Sequence, residues 1–319
     1  MIVTVTPNPS LDRTAGLPGP IVRGQVHRFS GSTVVAAGKG VNISRGLHGA
    51  GVPTTAVVPA AGNDPLLVGL LADGVPTMGV PVSEPVRVNL TVTEPDGTTT
   101  KFNEPGAHLS PDELTAFEDA VLAAADTADW VVMAGSLPPG MPTDWYARMV
   151  PRIRAHGARI AVDTSDSPLV ALASNLPESA PDLVKPNSVE LAQLCGGDGN
   201  AMEAEAAAGS FGPVIGAARD LIGWGIAEVM VTLGGAGALL VHKDGAWHAV
   251  AEPVEVRSTV GAGDSSLAGL LLGRSLGLDD AGCLRTAVSW GSAAASLPGS
   301  TTPTIDLASS IEVTVRQLP

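Results

Sequence analysis

The segment Ser258–Ser265 reads STVGAGDS and leads directly into the apolar stretch SLAGLLLGRSLG at 266–277. Small residues at a helix start allow successive backbone N–H groups to converge, and such a place binds anions. Asp264 would put a carboxylate beside this anion site, where it can accept a proton from a hydroxyl group. An ordinary glycine turn with Asp264 capping the helix is the alternative interpretation. A Walker phosphate loop, which carries a lysine after its last glycine, is absent.

A second glycine motif lies early in the chain, where residues 36–42 read AAGKGVN before a predicted helix. Gly38 and Gly40 would let the backbone approach a ligand closely. Lys39 offers a cation, and Asn42 offers both a donor and an acceptor. The alternative is a glycine-rich helix entry with a solvated lysine.

Polar side chains and glycines also follow several other predicted strands. They are Asp12 with Arg13 after the strand at 2–6, Ser136 after WVVMAG (130–135), Lys185, Asn187 and Glu190 in and after DLVKPN (182–187), and Thr232, Gly234, Gly235 and Gly237 at the end of EVMVTLGG (228–235). Singly, each has a simple alternative: a surface loop, a helix cap for Glu190, or a β-turn. Because parallel strands end at one edge of a sheet, their joint placement predicts a ligand site there.

The order of the predicted elements indicates an α/β protein. Alternating strands and helices predict a mainly parallel central sheet with helices on both faces. Two β-rich stretches, 10–36 and 84–104, interrupt this alternation, and we interpret them as a small inserted β-lid that includes the β-like pieces QVHRF (25–29) and STVVA (32–36). The last third is predicted to carry helices near 262–276, 279–296 and 304–316.

Composition agrees with this class of fold and excludes others. Hydrophobic residues make up 45% of the 319 residues but aromatic residues only 3%, which is typical of a core of aliphatic side chains around a parallel sheet. The formal net charge of −14 argues against nucleic acid as a partner. The start MIVTVTPNPS does not resemble a signal peptide, and no apolar run reaches the roughly 18 residues of a membrane helix. Two distant cysteines, Cys195 and Cys283, indicate reduced thiols, so we expect a soluble cytoplasmic protein.

Gly-Lys-Gly-x-Asn early and Thr-x-Gly-Ala-Gly-Asp late resemble the two signatures of the PfkB (ribokinase-like) carbohydrate kinases. TPNPSLDR, FNEPG, GSLPPG, VDTS, KPNSVEL and VTLGGAGAL lie in the order of the family's phosphohexose branch, so the resemblance runs nearly end to end. Within the family the pattern is most similar to the 1-phosphofructokinases, with tagatose-6-phosphate kinases and minor 6-phosphofructokinases as close relatives. The resemblance implies one kinase domain over 1–319, with a ribokinase-like sandwich as a nucleotide-binding core and a β-lid over the sugar.

The resemblance also implies a role for each matching residue. It assigns catalysis to Asp264 as the base and to Gly261, Ala262 and Gly263 as the anion hole. It assigns sugar-phosphate binding to Asp12, Gly38, Lys39, Gly40, Asn42, Arg87 and Ser136. It assigns nucleotide binding to Lys185, Asn187, Thr232, Gly234, Gly235, Gly237, Ser258 and Ser292. Glu190, with Asn187, matches a motif that is linked to Mg²⁺ through water.

The implied reaction is phosphoryl transfer from MgATP to a ketohexose phosphate. Fructose 1-phosphate is the first expectation, and tagatose 6-phosphate or fructose 6-phosphate is the alternative. A kinase for an uncharged acceptor and a non-catalytic sugar-phosphate sensor are the rivals; the pair Lys39 and Arg87 argues against the first, and Asp264 argues against the second. The resemblance also suggests a homodimer through the lid. The sequence departs from the family pattern at Ala37, where a methyl group could narrow the sugar loop, and at Asp166, where many relatives have glycine.

Overall fold

The computed structural model describes all 319 residues, which form 14 strands and 11 α-helices. The strands are β1 (Ile2–Val5), β2 (Ser10–Gly16), β3 (Gly31–Ala37), β4 (Thr54–Pro59), β5 (Thr77–Val80), β6 (Arg87–Thr93), β7 (Thr99–Asn103), β8 (Trp130–Ala134), β9 (Arg159–Asp163), β10 (Leu183–Val184), β11 (Glu228–Thr232), β12 (Ala238–His242), β13 (Gly245–Ala251) and β14 (Val313–Leu318). The helices are α1 (Lys39–Gly49), α2 (Pro65–Ala72), α3 (Pro111–Ala125), α4 (Trp145–Arg154), α5 (Asp166–Ser174), α6 (Ser188–Cys195), α7 (Gly199–Ala207), α8 (Gly212–Gly223), α9 (Ala262–Ser275), α10 (Asp280–Ala295) and α11 (Ile305–Ser309). No helix combines the length and the apolar character that crossing a lipid bilayer requires.

A ten-stranded sheet forms the centre of the molecule, in the order β14-β13-β12-β11-β10-β9-β8-β1-β4-β5. The pairings from β5 through β11 are parallel, and those from β11 to β14 are antiparallel. The inner strands β1 and β8 are buried along their whole length, as expected for strands covered on both faces. The predicted α/β class with a mainly parallel sheet is therefore confirmed.

The central sheet separates two hydrophobic cores. Val3 and Val5 of β1 belong to a core of 42 buried residues, which α3, α4 and α8 complete. Ile2 points to the opposite face and joins a second core of 25 residues, which α1, α9 and α10 complete. Successive strand side chains alternate between the two cores because a strand has a period of two residues.

A second sheet of four strands stands apart from the first, in the order β3-β2-β6-β7. Strands β2 and β3 come from the first β-rich stretch, and β6 and β7 come from the second. Direct cross-strand partners place Asp12 and Asn89 on one face, and Arg13 and Leu90 on the other. The sheet therefore has two chemically different faces.

The structure corrects two predicted elements. The helix expected over 304–316 is instead the short α11 followed by β14, which pairs antiparallel with β13. Val313 and Val315 alternate with polar residues and pack on the second core, so a strand period overrides the predicted helix. The piece QVHRF (25–29) is not a strand, because the chain forms only turns and irregular backbone from residue 21 to residue 30.

Candidate active site

Asp264 lies in the first turn of α9, where only 7% of its surface is exposed. Gly261 precedes the helix with φ 78°, a left-handed conformation that favours glycine. The Asp264 side chain does not cap the helix; its Oδ2 accepts a 2.8 Å hydrogen bond from Asn42 Nδ2. The capping alternative is therefore wrong, and the carboxylate faces the early glycine motif.

A buried carboxylate, Asp163, joins the two lysines of the site. It ends β9, and its Oδ1 lies 2.8 Å from Lys39 Nζ while its Oδ2 lies 3.1 Å from Lys185 Nζ. Lys39 begins α1 and Lys185 follows β10, so Asp163 links the early motif to the KPN loop. Lys39 is thus an ion-paired side chain and not the freely solvated one of the alternative interpretation.

These contacts set the protonation of the site. Burial, reinforced by the nearby Asp163, raises the pKa of Asp264, whereas Lys39, Asn42 and Lys185 oppose that rise. Burial would also raise the pKa of Asp163, but Lys185 and Lys39 outweigh it and hold that pKa below its ordinary value. Burial would lower the pKa of Lys39, but Asp163 and Asp264 outweigh it and raise that pKa. The site therefore holds one firmly ionised carboxylate beside one whose proton affinity is increased, as a general base requires.

Asp12 and Arg87 lie on the face of the four-stranded sheet that carries Asn89. Asp12 Oδ1 accepts hydrogen bonds from Ser10 Oγ at 2.8 Å and from Asn89 Nδ2 at 3.0 Å. Burial lowers the pKa of Arg87, although Asp12 opposes this effect. Arg87 Nη1 donates to the Glu104 carbonyl oxygen at 3.4 Å, whereas Arg87 Nε and Asn89 Oδ1 are buried without a hydrogen-bond partner, so this face has unused hydrogen-bonding capacity.

The glycines of the early motif pack closely on β1. A Cβ atom added at Gly38 would come within 2.7 Å of Thr6 Cγ2, and one added at Gly40 would come within 3.0 Å of the Val5 carbonyl oxygen. Gly40 is buried, so its position is explained by the packing of α1 on β1. Ala37 is fully buried as well, so its methyl group does not narrow an open sugar loop.

Ser136 and Asp166 line one cavity of about 350 Å³ beyond the ends of β8 and β9. Ser136 is exposed, and its Oγ accepts a 3.2 Å hydrogen bond from Asn8 Nδ2. Asp166 has φ 54° and is the one non-glycine residue in the left-handed region. This backbone explains why glycine suits the position and why aspartate, which tolerates the region better than most residues, can replace it.

A cavity of about 600 Å³ lies between α9, α10 and the end of β11. Its wall includes these predicted residues: Asn187, Thr232, Gly234, Gly235, Gly237, Ala262, Gly263 and Ser292. Apolar side chains that the sequence did not single out complete it: Val189, Val254, Val256 and Val288. Lys185 approaches from the side, since a Cβ atom added at Gly263 would lie 3.1 Å from its Nζ. Ser258 does not line the cavity, because its Oγ accepts a hydrogen bond from the Val260 amide and the neighbouring Thr259 lines the wall instead.

Glu190 and Asn187 form a capping box at the start of α6. The Glu190 amide donates to Asn187 Oδ1 at 2.8 Å, and the Asn187 amide donates to Glu190 Oε2 at 2.9 Å. The capping alternative for Glu190 is thus confirmed. Its charge also contributes to the raised pKa of Lys39, so the carboxylate is close enough to act on the site.

Three neighbouring residues were not singled out from the sequence: Asp163, Asn89 and Asn8. The signal for Asp163 was present, because VDTS follows a predicted strand like the other site segments. Asn89 alternates with the apolar residues of β6, so the pattern placed it on the uncovered face of a strand without indicating Asp12 as its partner. Asn8 lies between two prolines in TPNPS, and nothing local predicts its bond to Ser136.

Comparisons with known proteins agree with this geometry. Residues 9–307 match the pfkB family carbohydrate kinases. The chain is 35% identical to 1-phosphofructokinase of Rhodobacter capsulatus, over 100% of this chain and 98% of that protein. It is 34% identical to 1-phosphofructokinase of Haloferax volcanii, over 96% and 94% of the two chains. Its fold is similar to the crystal structure of phosphofructokinase-2 from Escherichia coli in complex with fructose-6-phosphate, with a TM-score of 0.83, 29% identity and coverage of 97% and 96%. The predicted resemblance is confirmed, and the chain belongs to the pfkB family of carbohydrate kinases.

Proposed function

We propose that the chain transfers the γ-phosphoryl group of ATP to a hydroxyl group of fructose 1-phosphate, giving fructose 1,6-bisphosphate and ADP. The observation that carries this proposal is the position of Asp264. Its buried carboxylate accepts a hydrogen bond from Asn42 of the early glycine motif and lies in the first turn of a helix whose first residues, Ala262 and Gly263, line the 600 Å³ cavity. The two relatives named 1-phosphofructokinase favour fructose 1-phosphate as the acceptor.

In the proposed reaction Asp264 accepts the proton of the acceptor hydroxyl group. The hydroxyl oxygen forms a bond to the γ-phosphorus atom, and the bond from that atom to the β–γ bridging oxygen breaks, so ADP leaves with the electron pair. Backbone amides of Gly261, Ala262 and Gly263 are proposed to offset the negative charge on the transferring group. The raised pKa of Asp264 suits this role, because a base must bind the proton it removes.

The acceptor is proposed to lie against the polar face of the four-stranded sheet. Arg87, whose Nε has no partner, and Ser136 are the proposed ligands of its phosphate group. Asp12 and Asn42 are the proposed ligands of its hydroxyl groups. Lys39 forms an ion pair with Asp163. We therefore propose that Lys39 lies along the transfer path between the two substrates, and that it is not the main ligand of the acceptor phosphate.

The nucleotide is proposed to occupy the 600 Å³ cavity, with its base against the valine wall and its phosphates toward Lys185 and the start of α9. No group of three or more acidic, histidine or cysteine side chains is placed to hold a metal ion. Mg²⁺ commonly takes one or two carboxylates with waters and substrate phosphates, so Glu190 fits as a ligand through water. When bound, the ion would neutralise charge on the phosphates.

The four-stranded sheet is proposed to act as a lid that excludes water from the transfer. We also propose that this sheet joins two copies of the chain. The face that carries Arg13 and Leu90 exposes the apolar side chains of Val34 and Phe102, which are 56% and 54% exposed. Exposed apolar surface of this kind is typical of interfaces. A cytoplasmic location remains a prediction from the sequence.

A panel of acceptors tests the proposal, with ADP release measured at concentrations well below saturation. Fructose 1-phosphate should give the highest kcat/KM, ahead of fructose 6-phosphate and tagatose 6-phosphate. Unphosphorylated fructose serves as the control and should be far poorer, because it offers Arg87 no anion. Binding without ADP release from any member would favour the sensor and contradict the proposed activity.

A second candidate is phosphorylation of fructose 6-phosphate. It is favoured by the similarity of the whole fold to the Escherichia coli phosphofructokinase-2 complex with that sugar phosphate. The two sugar phosphates differ mainly in which end of the furanose carries the phosphate group, so many contacts would be shared. A buried polar group left unpaired costs about 1–3 kcal/mol, so we expect selectivity of roughly ten- to a hundredfold. A clear preference for fructose 6-phosphate would overturn the substrate assignment while leaving the kinase activity in place.

A further inference from the structure

The carboxamide of Asn42 makes one hydrogen bond through each of its polar atoms. Its Nδ2 donates to Asp264 Oδ2 at 2.8 Å, and its Oδ1 accepts from Arg45 Nη1 at 3.3 Å. Rotation of the amide by 180° would turn its oxygen toward the Asp264 carboxylate and its NH₂ group toward the guanidinium. Both new contacts would be repulsive, because like partners would face each other. Arg45 therefore selects the amide orientation that gives Asp264 a donor.

Arg45 is itself held at two further points. Its Nε donates to Asp73 Oδ2 at 2.9 Å, and its Nη2 donates to the Ala36 carbonyl oxygen at 2.6 Å. Only 15% of its side chain is exposed. All three guanidinium nitrogens are thus used, and the group is fixed in position.

The contact with Ala36 also connects Arg45 to the four-stranded sheet. Ala36 is the next-to-last residue of β3, an edge strand of the four-stranded sheet. Arg45 and Asn42 lie one turn apart on α1. A continuous chain of contacts therefore runs from the end of β3 through Arg45 and Asn42 to Asp264.

We propose that Arg45 is a positioning residue, which orients the Asn42 amide toward Asp264 and makes that orientation depend on the end of the lid strand β3. The inference rests on the proposed role of Asp264 as the base. Arg45 does not contact either substrate cavity described above, so it acts on the reaction only through Asn42.

Charged groups surround both ends of this chain of contacts, at Asp264 and at Arg45. Asp264 faces Asp163, Lys39 and Lys185 from three other elements, and these remain when Arg45 is replaced. Arg45 shares a cavity of about 480 Å³ with His48, Asp73 and Asp306, of which only Asp73 is bonded to it. Loss of the Asn42 donor removes one influence that lowers the pKa of Asp264. The acid side of the pH profile of kcat should then move to higher pH, because the base must be ionised to act.

The test compares Arg45→Ala and Arg45→Lys with the parent. We expect kcat to fall roughly tenfold to a hundredfold in Arg45→Ala, the range of a hydrogen bond to a charged group, with little change in the KM for ATP. Arg45→Lys keeps the charge but cannot bond three acceptors in a fixed plane, so its acid limb should also move to higher pH. Arg45→Lys also tests the proposal if Arg45→Ala does not fold. Arg152→Ala, which breaks the ion pair with Glu118 between α4 and α3, is the matched control and should leave the pH profile unchanged, because neither residue acts on the pKa of Asp264.

Two outcomes would overturn the inference. One is kcat within about threefold of the parent for both Arg45 variants. The other is a uniform loss at every pH without movement of the acid limb, which would indicate a structural role alone. Asp264→Asn separates the inference from the proposed function. If that variant retains parental turnover, the proposed base is wrong, whereas an inactive Asp264→Asn beside unaffected Arg45 variants defeats only the inference.

Discussion

Asp163 is the residue on which the electrostatics of the site depend. It is fully buried and lies between Lys39 and Lys185, which come from the two loops assigned to the two substrates. A buried carboxylate is stable only when paired, and two lysines so close together need an anion between them. Asp163 therefore holds two cations beside the proposed path of the transferring group, and it also raises the pKa of Asp264.

We predict that Asp163→Asn lowers the maximum of kcat about tenfold or more and moves its acid limb to lower pH. The maximum falls because the two lysines lose the charged partner that positions them, and each such bond is worth about 1.5–3 kcal/mol. The acid limb moves because Asp163 raises the pKa of Asp264; without it that pKa falls, and the base stays ionised to lower pH.

A pH series of initial rates on the parent and the variant checks both effects. Asp129→Asn is the control, because Asp129 pairs with the chain's amino terminus and has a largely exposed side chain. An acid limb that moves to higher pH in Asp163→Asn would contradict the electrostatic argument.

The sequence predicted the separate residues of the site better than their partners. Asp264, Asn42 and Lys39 were identified from glycine motifs, because the backbone requirements of an anion site are local. The ion pair of Lys39 with Asp163 joins residues 124 positions apart, and no local pattern contains it. Binding of the acceptor phosphate by Lys39 stays a prediction, because the ammonium group has three donors and the ion pair uses one of them.

At the scale of elements, the position of Asp264 depends on how closely α9 and α10 pack. A Cβ atom added at Gly269 would come within 2.6 Å of the Thr286 carbonyl oxygen, and one added at Gly273 would come within 2.8 Å of Cys283 Cα. Both obstacles are backbone atoms, which move only with the whole helix. These glycines allow the contact between the helices, and α9 begins with residues that line the 600 Å³ cavity.

We predict that Gly269→Ala destabilises the protein by about 1–3 kcal/mol, the usual cost of overpacking, and lowers kcat. Gly216→Ala is the matched control, because Gly216 lies in α8 with open space where a Cβ atom would be. There alanine should stabilise by about 0.5–1 kcal/mol through its better helix propensity. Urea unfolding of the three proteins measures both effects, and equal midpoints for the two variants would mean that the helices separate without cost.

The helix predicted over 304–316 was wrong because helical and strand periodicities compete in this short segment. Residues 304–316 contain a capping threonine and helix-compatible residues, and α11 does begin there. The alternation of Val313, Val315 and polar residues then adds an antiparallel strand beside β13. That strand is favoured by an uncovered sheet edge and by the second core, and both are tertiary features that a local pattern does not contain.

At the scale of the whole molecule, the four-stranded sheet has one face with Asp12 and Asn89 and another whose apolar side chains are exposed to solvent. Val34, Leu90 and Phe102 lie in one row across the sheet with Arg13 among them, so these side chains share one face, and we call the three apolar ones the apolar row. Asp12 and Asn89 occupy the opposite face with the proposed sugar ligands. A second copy could therefore cover the apolar row without blocking the site.

We predict that the parent chain is a dimer in solution and that Phe102→Asp makes it a monomer. The new carboxylate would be buried against a second apolar sheet, which is strongly unfavourable. Leu276→Asp is the control, since Leu276 is 65% exposed at the end of α9, which packs on α10 and α1, and its substitution should leave the dimer intact. Light scattering coupled to size-exclusion chromatography measures the mass of each protein directly.

The net charge of the chain predicts how the stability of the dimer depends on salt. Each chain carries a formal charge of −14, so two copies repel each other at long range while the apolar row attracts at contact. Salt shortens the reach of that repulsion to about 10 Å at 0.1 M, whereas hydrophobic burial does not weaken. The dimer should therefore become tighter as salt is raised from about 0.01 to 0.1 M, a range over which the screening length falls from about 30 Å to about 10 Å. If salt dissociates the dimer instead, ion pairs and not the apolar row hold the two copies together. A parent chain that stays monomeric at every salt concentration would contradict the proposed interface.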